Sequence, residues 1–176
     1  MDAHYFKVMK AREDVQETGT KLYFAYSSVL DREAFEEWRQ EHSYQFFNLS
    51  GGKVAKVVDQ DLVFNFNSRW WGGRVASLES KKGVSVYGLL FEVPAKDWPV
   101  VQHKEGFITG MCIESPVKVE VDGKEVEAIA FITAPQRATQ AGPVSPGYVK
   151  TLIRGAKDSG LPQNYIQKLE SLVAST

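Results

Sequence analysis

A chain of 176 residues, 43% hydrophobic and 24% charged, has the size and balance of one folded domain with a sizeable core, which excludes disorder as its main state. Its 21 lysines and arginines stand against 22 acidic residues, so a net charge of −1 supplies no general field for gathering nucleic acid or anionic lipid. One cysteine, Cys112, excludes an internal disulfide, and no apolar run approaches the ~20 residues that cross a bilayer.

Residues 1–12 carry Asp2, Lys7, Lys10 and Arg12 and lack an apolar signal core, so the expectation is a cytoplasmic protein. Residues 1–20 are polar and weakly patterned and read as an N-terminal extension. A mobile arm is the plainer reading, a docked surface segment the other. The domain proper is expected over residues 21–176. It begins with a β-rich run, Lys21-Leu22-Tyr23-Phe24-Ala25-Tyr26, which ends in Ser27-Ser28 and so predicts a strand entering a turn. Asp31 can cap a helix through about Gln40, with Phe35 and Trp38 on its apolar side.

Strand signals then dominate. Residues 62–67 alternate, and residues 84–93 are apolar at most positions, as a central strand would be. Between them Trp70-Trp71-Gly72-Gly73 breaks the pattern, its tryptophans expected in the core or lining a pocket. Val117, Val119 and Val121 alternate with charged residues up to Asp122-Gly123, a strong hairpin signal, and a return strand is expected from Lys124 to about Thr133. Ser145-Pro146 starts a helix with Tyr148, Val149, Leu152, Ile153 and Ala156 on one face, stopped at Gly160. A second helix follows, with Tyr165, Ile166, Leu169 and Val173 facing inward. This order predicts an α+β fold: a small mixed, barrel-like sheet, flanking helices and a C-terminal helix pair.

Several chemistries lack their residues. There is no phosphate loop, dinucleotide fingerprint or G-x-S-x-G elbow. His4, His42 and His103 show no metal-ligand spacing with one another or with Cys112, so no metal site is expected. Two segments stand out. The turn Tyr26-Ser27-Ser28-Val29-Leu30 could converge backbone N–H groups on an anion, although from these residues alone a plain strand-to-helix connection is the simpler reading. Glu105, beside Gly106 and near apolar residues, could have a raised pKa and serve as acid and base; alternatively it is a surface glutamate in a Lys-Glu-Gly turn.

Taken together and in order, five segments resemble the γ-glutamylcyclotransferase family. They are Tyr23-Phe24-Ala25-Tyr26-Ser27-Ser28-Val29-Leu30 (family Y-F-A-Y-G-S-N-L), Trp71-Gly72-Gly73-Arg74-Val75-Ala76, Val86-Tyr87-Gly88-Leu89-Leu90, Glu105-Gly106-Phe107-Ile108-Thr109-Gly110-Met111 (family E-G-V-x-x-G-M-Y), and Ser145-Pro146-Gly147-Tyr148 with residues 155–162. The resemblance covers roughly residues 21–172. It implies release of 5-oxoproline from a small-molecule γ-glutamyl amino acid or γ-glutamylamine by attack of the substrate's own α-amine. Glu105 inherits the acid/base role, Tyr26, Ser27, Ser28, Val29 and Leu30 the turn that holds the glutamyl head, and Tyr148 a pocket wall. No cofactor or metal is implied; a homodimer is one option for assembly.

The chain departs from the family text at Ser27 (glycine), Val29 (asparagine) and Cys112 (tyrosine), and in residues 98–103 before Glu105. If Ser27 kept a glycine's positive φ, the cost would be roughly 1 kcal/mol or more. Cys112 is expected to be buried and inert. Because the substrate turn is altered, the alternative reading is a catalytically impaired homologue that serves as a ligand- or protein-binding module.

Overall fold

The spine of the molecule is one long hairpin. A computed structural model describes residues 2–174, and in it the two apolar runs in the middle of the chain extend well past their predicted limits, into β2 (Lys53–Ser68) and β3 (Gly73–Pro94). They pair antiparallel from Lys53↔Leu90 to Ser68↔Gly73, with register shifts after Val58 and Phe64. At the first shift Asp59 (φ 55°) and Gly83 (φ 79°) both take left-handed backbone, and the Asp59 carboxylate accepts the Gly83 N–H at 2.8 Å. Such an irregularity bends a hairpin, which lets the strands curl toward closure.

Closure comes from three more strands. β1 (Thr20–Ala25) lies antiparallel to the end of β3 and meets β5 (Lys124–Thr133) in parallel at Tyr23↔Ile129. β4 (Cys112–Val121) pairs with both β2 and β5. The order β1-β3-β2-β4-β5 therefore runs into a closed ring. The β4–β5 turn is the one its residues demanded: Asp122 (φ 51°) and Gly123 (φ 72°) both have positive φ, as a type I′ turn requires. Alternate strand positions, among them Val57, Val86, Val119 and Ala130, are wholly buried inside the ring.

Helices cover the outside. α2 (Arg32–Glu41) is capped by the Asp31 carboxylate, which accepts the Ala34 N–H at 2.9 Å, and it buries Phe35. α4 (Pro146–Asp158) starts at Ser145, whose hydroxyl accepts the Tyr148 N–H at 3.1 Å; α5 (Gln163–Ala174) follows after Gly160 (φ 70°). The two bury Tyr148, Val149, Leu152, Ala156, Tyr165, Ile166 and Leu169, whereas Val173, expected inward, is exposed.

Two expectations change, and the structure adds one helix. The first residues are not a mobile arm: α1 (Ala3–Asp14) docks on the body with Val8 wholly buried, Tyr5 stacked on Tyr44 at 5.7 Å between centroids, and Arg12 bonded to Asp97 at 2.7 Å. Its sequence hides this because Val8 is its one buried side chain, too little to make an apolar stripe. A short helix, α3 (Trp98–Lys104), with Pro99 in its first turn, occupies the stretch before Glu105. Trp70 sits on the hairpin turn 75% exposed, while Trp71 packs edge-on against Tyr148 at 5.4 Å.

Candidate active site

Glu105 is the residue at which α3 stops. Its own N–H still donates to Val101 O (3.0 Å), Gly106 N–H returns to His103 O (3.1 Å), and Phe107 N–H returns to Gln102 O (2.9 Å). These last two bonds are the paired returns of a Schellman cap, and Gly106 supplies the left-handed φ of 79° that it needs. A Cβ on Gly106 would also lie 3.0 Å from Met111 Cβ, so the loop is packed against the position. The helix is tied down by Glu114 of β4, whose Oε1 accepts both Trp98 Nε1–H (2.7 Å) and Gln102 Nε2–H (2.8 Å). Backbone geometry thus fixes where the Glu105 carboxylate begins, before any side-chain contact is made.

The carboxylate then meets the hydroxyl of Tyr23, which donates to Glu105 Oε1. Tyr23 is held from three sides by the rings of Phe91, Trp98 and Phe131 at 6.0–6.3 Å, so its hydroxyl has little freedom. Burial pushes the Glu105 carboxyl above its usual range, against the opposing pull of Lys104 and the Tyr23 hydroxyl. The charge is felt around it: after burial, Glu105 is the next largest cause raising the pKa values of Tyr23, Tyr26, Tyr148 and Cys112. Cys112, half-buried at the head of β4, is pushed up to about 12, so its thiol stays neutral, as expected of an inert cysteine. The cluster is therefore one carboxylate among neutral donors, the arrangement that suits a group meant to take up and return a proton.

The turn after β1 forms a single 3-10 turn, Ser28–Leu30, in which Leu30 N–H donates to Ser27 O and Asp31 N–H to Ser28 O, both at 3.0 Å. The Leu30 amide is therefore engaged within the turn itself. Ser27 has φ −105° and ψ −159°, extended backbone open to any residue, so the strain expected of a serine replacing glycine does not arise. Tyr26 reaches under the turn and donates to Phe131 O at 2.5 Å. The Tyr148 hydroxyl is faced by the backbone N–H groups of Ser28 and Ala76, which links α4, the turn and β3 at one point. Val29 and Leu30 also border an open cleft of about 600 Å³ with Arg32, Arg39 and Gly52, and Glu105 does not line that cleft. α4 comes close behind the turn: a Cβ on Gly155 would stand 2.5 Å from the Asp31 nitrogen. Arg154 completes the clamp by donating to Asp31 Oδ2 at 2.5 Å and Oδ1 at 2.9 Å.

Comparison with known proteins bears on the family and the fold. Residues 85–169 match the model of the AIG2-like family. Over 163 residues the chain is 31% identical to the mouse protein named gamma-glutamylcyclotransferase, covering 89% of this chain and 81% of that one. The chain belongs to the γ-glutamylcyclotransferase family. A human protein of the same name is 30% identical over 156 residues, covering 86% of this chain and 78% of its own. A solved structure titled "Gamma-glutamyl cyclotransferase" superposes with a TM-score of 0.74 at 27% identity, covering 86% of this chain and 87% of the other. The five-stranded ring with its flanking helices is thus the γ-glutamylcyclotransferase fold.

The sequence named Glu105, Tyr26 and Tyr148, which lie close enough for the Glu105 charge to act on both hydroxyls, and the turn 26–30, of which Ser28 faces Tyr148. It missed Tyr23 and Ser77. Tyr23 carries no site signal of its own inside a strand, although its place three residues before Tyr26 in the family's Y-F-A-Y text was one. Ser77, 1% exposed, accepts the Thr133 N–H at 2.9 Å and sits beside the Tyr26 hydroxyl. Although the histidines lack any ligand spacing along the chain, the fold gathers Asp2, His42 and His103 so that one ligand atom of each lies within 4.8 Å of the others.

Proposed function

We propose that the chain converts a γ-glutamyl amino acid or γ-glutamylamine into 5-oxoproline and the free amine, with Glu105 as the single acid/base. The substrate's α-ammonium loses a proton to the carboxylate, and the freed amine attacks the γ-carbonyl, closing a five-membered lactam. The same proton then passes to the departing nitrogen as its bond to the carbonyl carbon breaks, and the second hydrogen that the ring nitrogen must shed follows it, so the amine leaves as its ammonium ion. No water is consumed, so one carboxylate serves both steps. The supporting observation is the Glu105 carboxylate itself, held by a Schellman cap, bonded by Tyr23 and raised in pKa by burial. Tyr26, Ser27, Ser28, Val29 and Leu30 bound the glutamyl head, and Tyr148 walls the site opposite the turn. In this reading the Ser27 and Val29 amides of the turn supply the fixed donors for the developing oxyanion, since those of Leu30 and Ser28 are engaged within the protein.

The test is 5-oxoproline release from γ-glutamyl-alanine and from a γ-glutamylamine, measured with Glu105→Gln as the control. Proton transfer by a positioned group is worth roughly 10²- to 10⁴-fold, and the variant is expected to lose that much. No release across a panel of γ-glutamyl compounds, or undiminished turnover by the variant, overturns the proposal. A second reading, a binding module without turnover, is favoured by one observation: the Tyr23 hydroxyl already engages Glu105. It predicts saturable binding of a γ-glutamyl compound with no 5-oxoproline formed.

A further inference from the structure

The histidine cluster is independent of the reading above. Its residues come from the ends of three helices. Asp2 caps the N-terminus of α1, His42 ends α2, and His103 lies in the last turn of α3. Asp2 Oδ2 stands 3.3 Å from His42 Nε2 and 3.6 Å from His103 Nε2.

The other ring nitrogens identify which atoms face inward. His42 Nδ1 lies 2.9 Å from Trp38 O. A carbonyl only accepts, so this nitrogen carries the hydrogen, and neutral His42 turns a bare lone pair toward the Asp2 carboxylate. His103 Nδ1 lies 2.8 Å from the buried Tyr44 hydroxyl, which leaves its Nε2 directed at the same carboxylate oxygen. In the tautomer whose His103 Nδ1–H donates to the Tyr44 hydroxyl, both imidazoles and the carboxylate converge lone pairs on one point, and a cation answers that arrangement. A proton satisfies one pair; a divalent ion satisfies all three.

Ligands about 2.0–2.1 Å from a tetrahedral ion stand roughly 3.3–3.4 Å apart, close to both Asp2 separations, while the two imidazoles, which lie within 4.8 Å of each other, close on the ion by side-chain rotation. Metal-bound histidines ordinarily donate their second N–H to a carbonyl or similar outer partner, the role that Trp38 O fills here. The Asp2 and His42 side chains keep 23% and 22% of their exposure, which gives an ion a path in and water room to complete the coordination.

We propose that Asp2, His42 and His103 bind one divalent transition-metal ion of the zinc class and so pin α1 to α2 and α3. Nitrogen and carboxylate donors suit Zn²⁺ and its neighbours over Mg²⁺ or Ca²⁺. Titration of the metal-free, untagged chain with Zn²⁺ should show one tight equivalent and a rise in Tm. Co²⁺ should give the visible absorption of a four- or five-coordinate ion. Tyr44→Phe, which removes only the outer partner of His103, should weaken Zn²⁺ about 10- to 100-fold. His42→Gln should weaken it further. Asp2→Asn keeps the helix cap and removes the anionic donor, so it carries the test if His42→Gln does not fold. Absence of a stoichiometric equivalent of Zn²⁺ overturns the proposal, as does binding by His42→Gln and Asp2→Asn equal to that of the parent, which would place the ion elsewhere.

Discussion

Asp31 and Glu105 are both carboxylates drawn into the body of the protein, yet their surroundings push them in opposite directions. Burial alone would raise the Asp31 pKa, but the Arg154 guanidinium and the Ala34 amide outweigh it and hold the carboxyl below its usual range. Glu105 has no guanidinium: burial outweighs Lys104 and the Tyr23 hydroxyl, and its carboxyl is raised. The difference separates a carboxylate held in its charged form from one whose burial favours the proton. Structure asks for a charge that is fully answered, whereas proton transfer asks for one that is answered only in part.

Substitution at Glu105 should have the largest effect and should split activity from stability. Glu105→Gln is expected to lose roughly 10²- to 10⁴-fold in 5-oxoproline release, yet to unfold at a higher Tm than the parent at neutral pH. The sign follows from linkage. A carboxyl with a raised folded pKa contributes its stability below the unfolded pKa of about 4.5 and loses it as pH rises through the folded value. The Tm advantage of the variant should therefore shrink as pH is lowered toward that unfolded value, and an advantage independent of pH would mean that Glu105 is not the strained group.

Tyr23→Phe comes next. A hydrogen bond to a charged group is worth about 1.5–3 kcal/mol, so turnover should fall roughly ten- to a hundred-fold. Because the Tyr23 hydroxyl lowers the Glu105 pKa, its loss should move the acidic limb of the pH–rate profile to higher pH. An unmoved limb would show that Tyr23 only packs.

Asp31→Ala should cost about 1–2 kcal/mol of stability through the lost α2 cap, read by chemical denaturation. Here the sign is reversed. A depressed carboxyl stabilises above the unfolded pKa and loses that contribution as pH falls through the folded value, so parent and variant should converge only in acid below pH 3.8. Smallest of all is Cys112→Ser: a thiol whose pKa is pushed up to about 12 is neutral throughout the working range, and turnover should be unchanged. A pH-dependent loss there would make the cysteine a participant.

Much of the fold was legible because its signals are local. The Asp122-Gly123 turn, the Ser145-Pro146 start and the Asp31 cap each depend on a few neighbouring residues whose backbone chemistry allows little else. The α1 and α3 helices were not legible for the complementary reason. Seven residues make barely two turns, and a helix with one buried side chain leaves no stripe to read. Ser27 taught the same point from the other direction: the family's glycine suggested positive φ, and the backbone there is extended.

By itself, then, the sequence determined the order of the strands and of α2, α4 and α5, the family frame and the position of Glu105 within it, since each rests on residue types at fixed spacing. Tertiary structure alone decided what surrounds that carboxylate. Tyr23, 82 residues away in the chain, meets Glu105 only when the ring of strands closes. The Asp2, His42 and His103 side chains likewise converge only when three helix ends dock. Spacing along a chain encodes backbone conformation, while the charge, burial and partners of a side chain belong to whatever folding brings beside it.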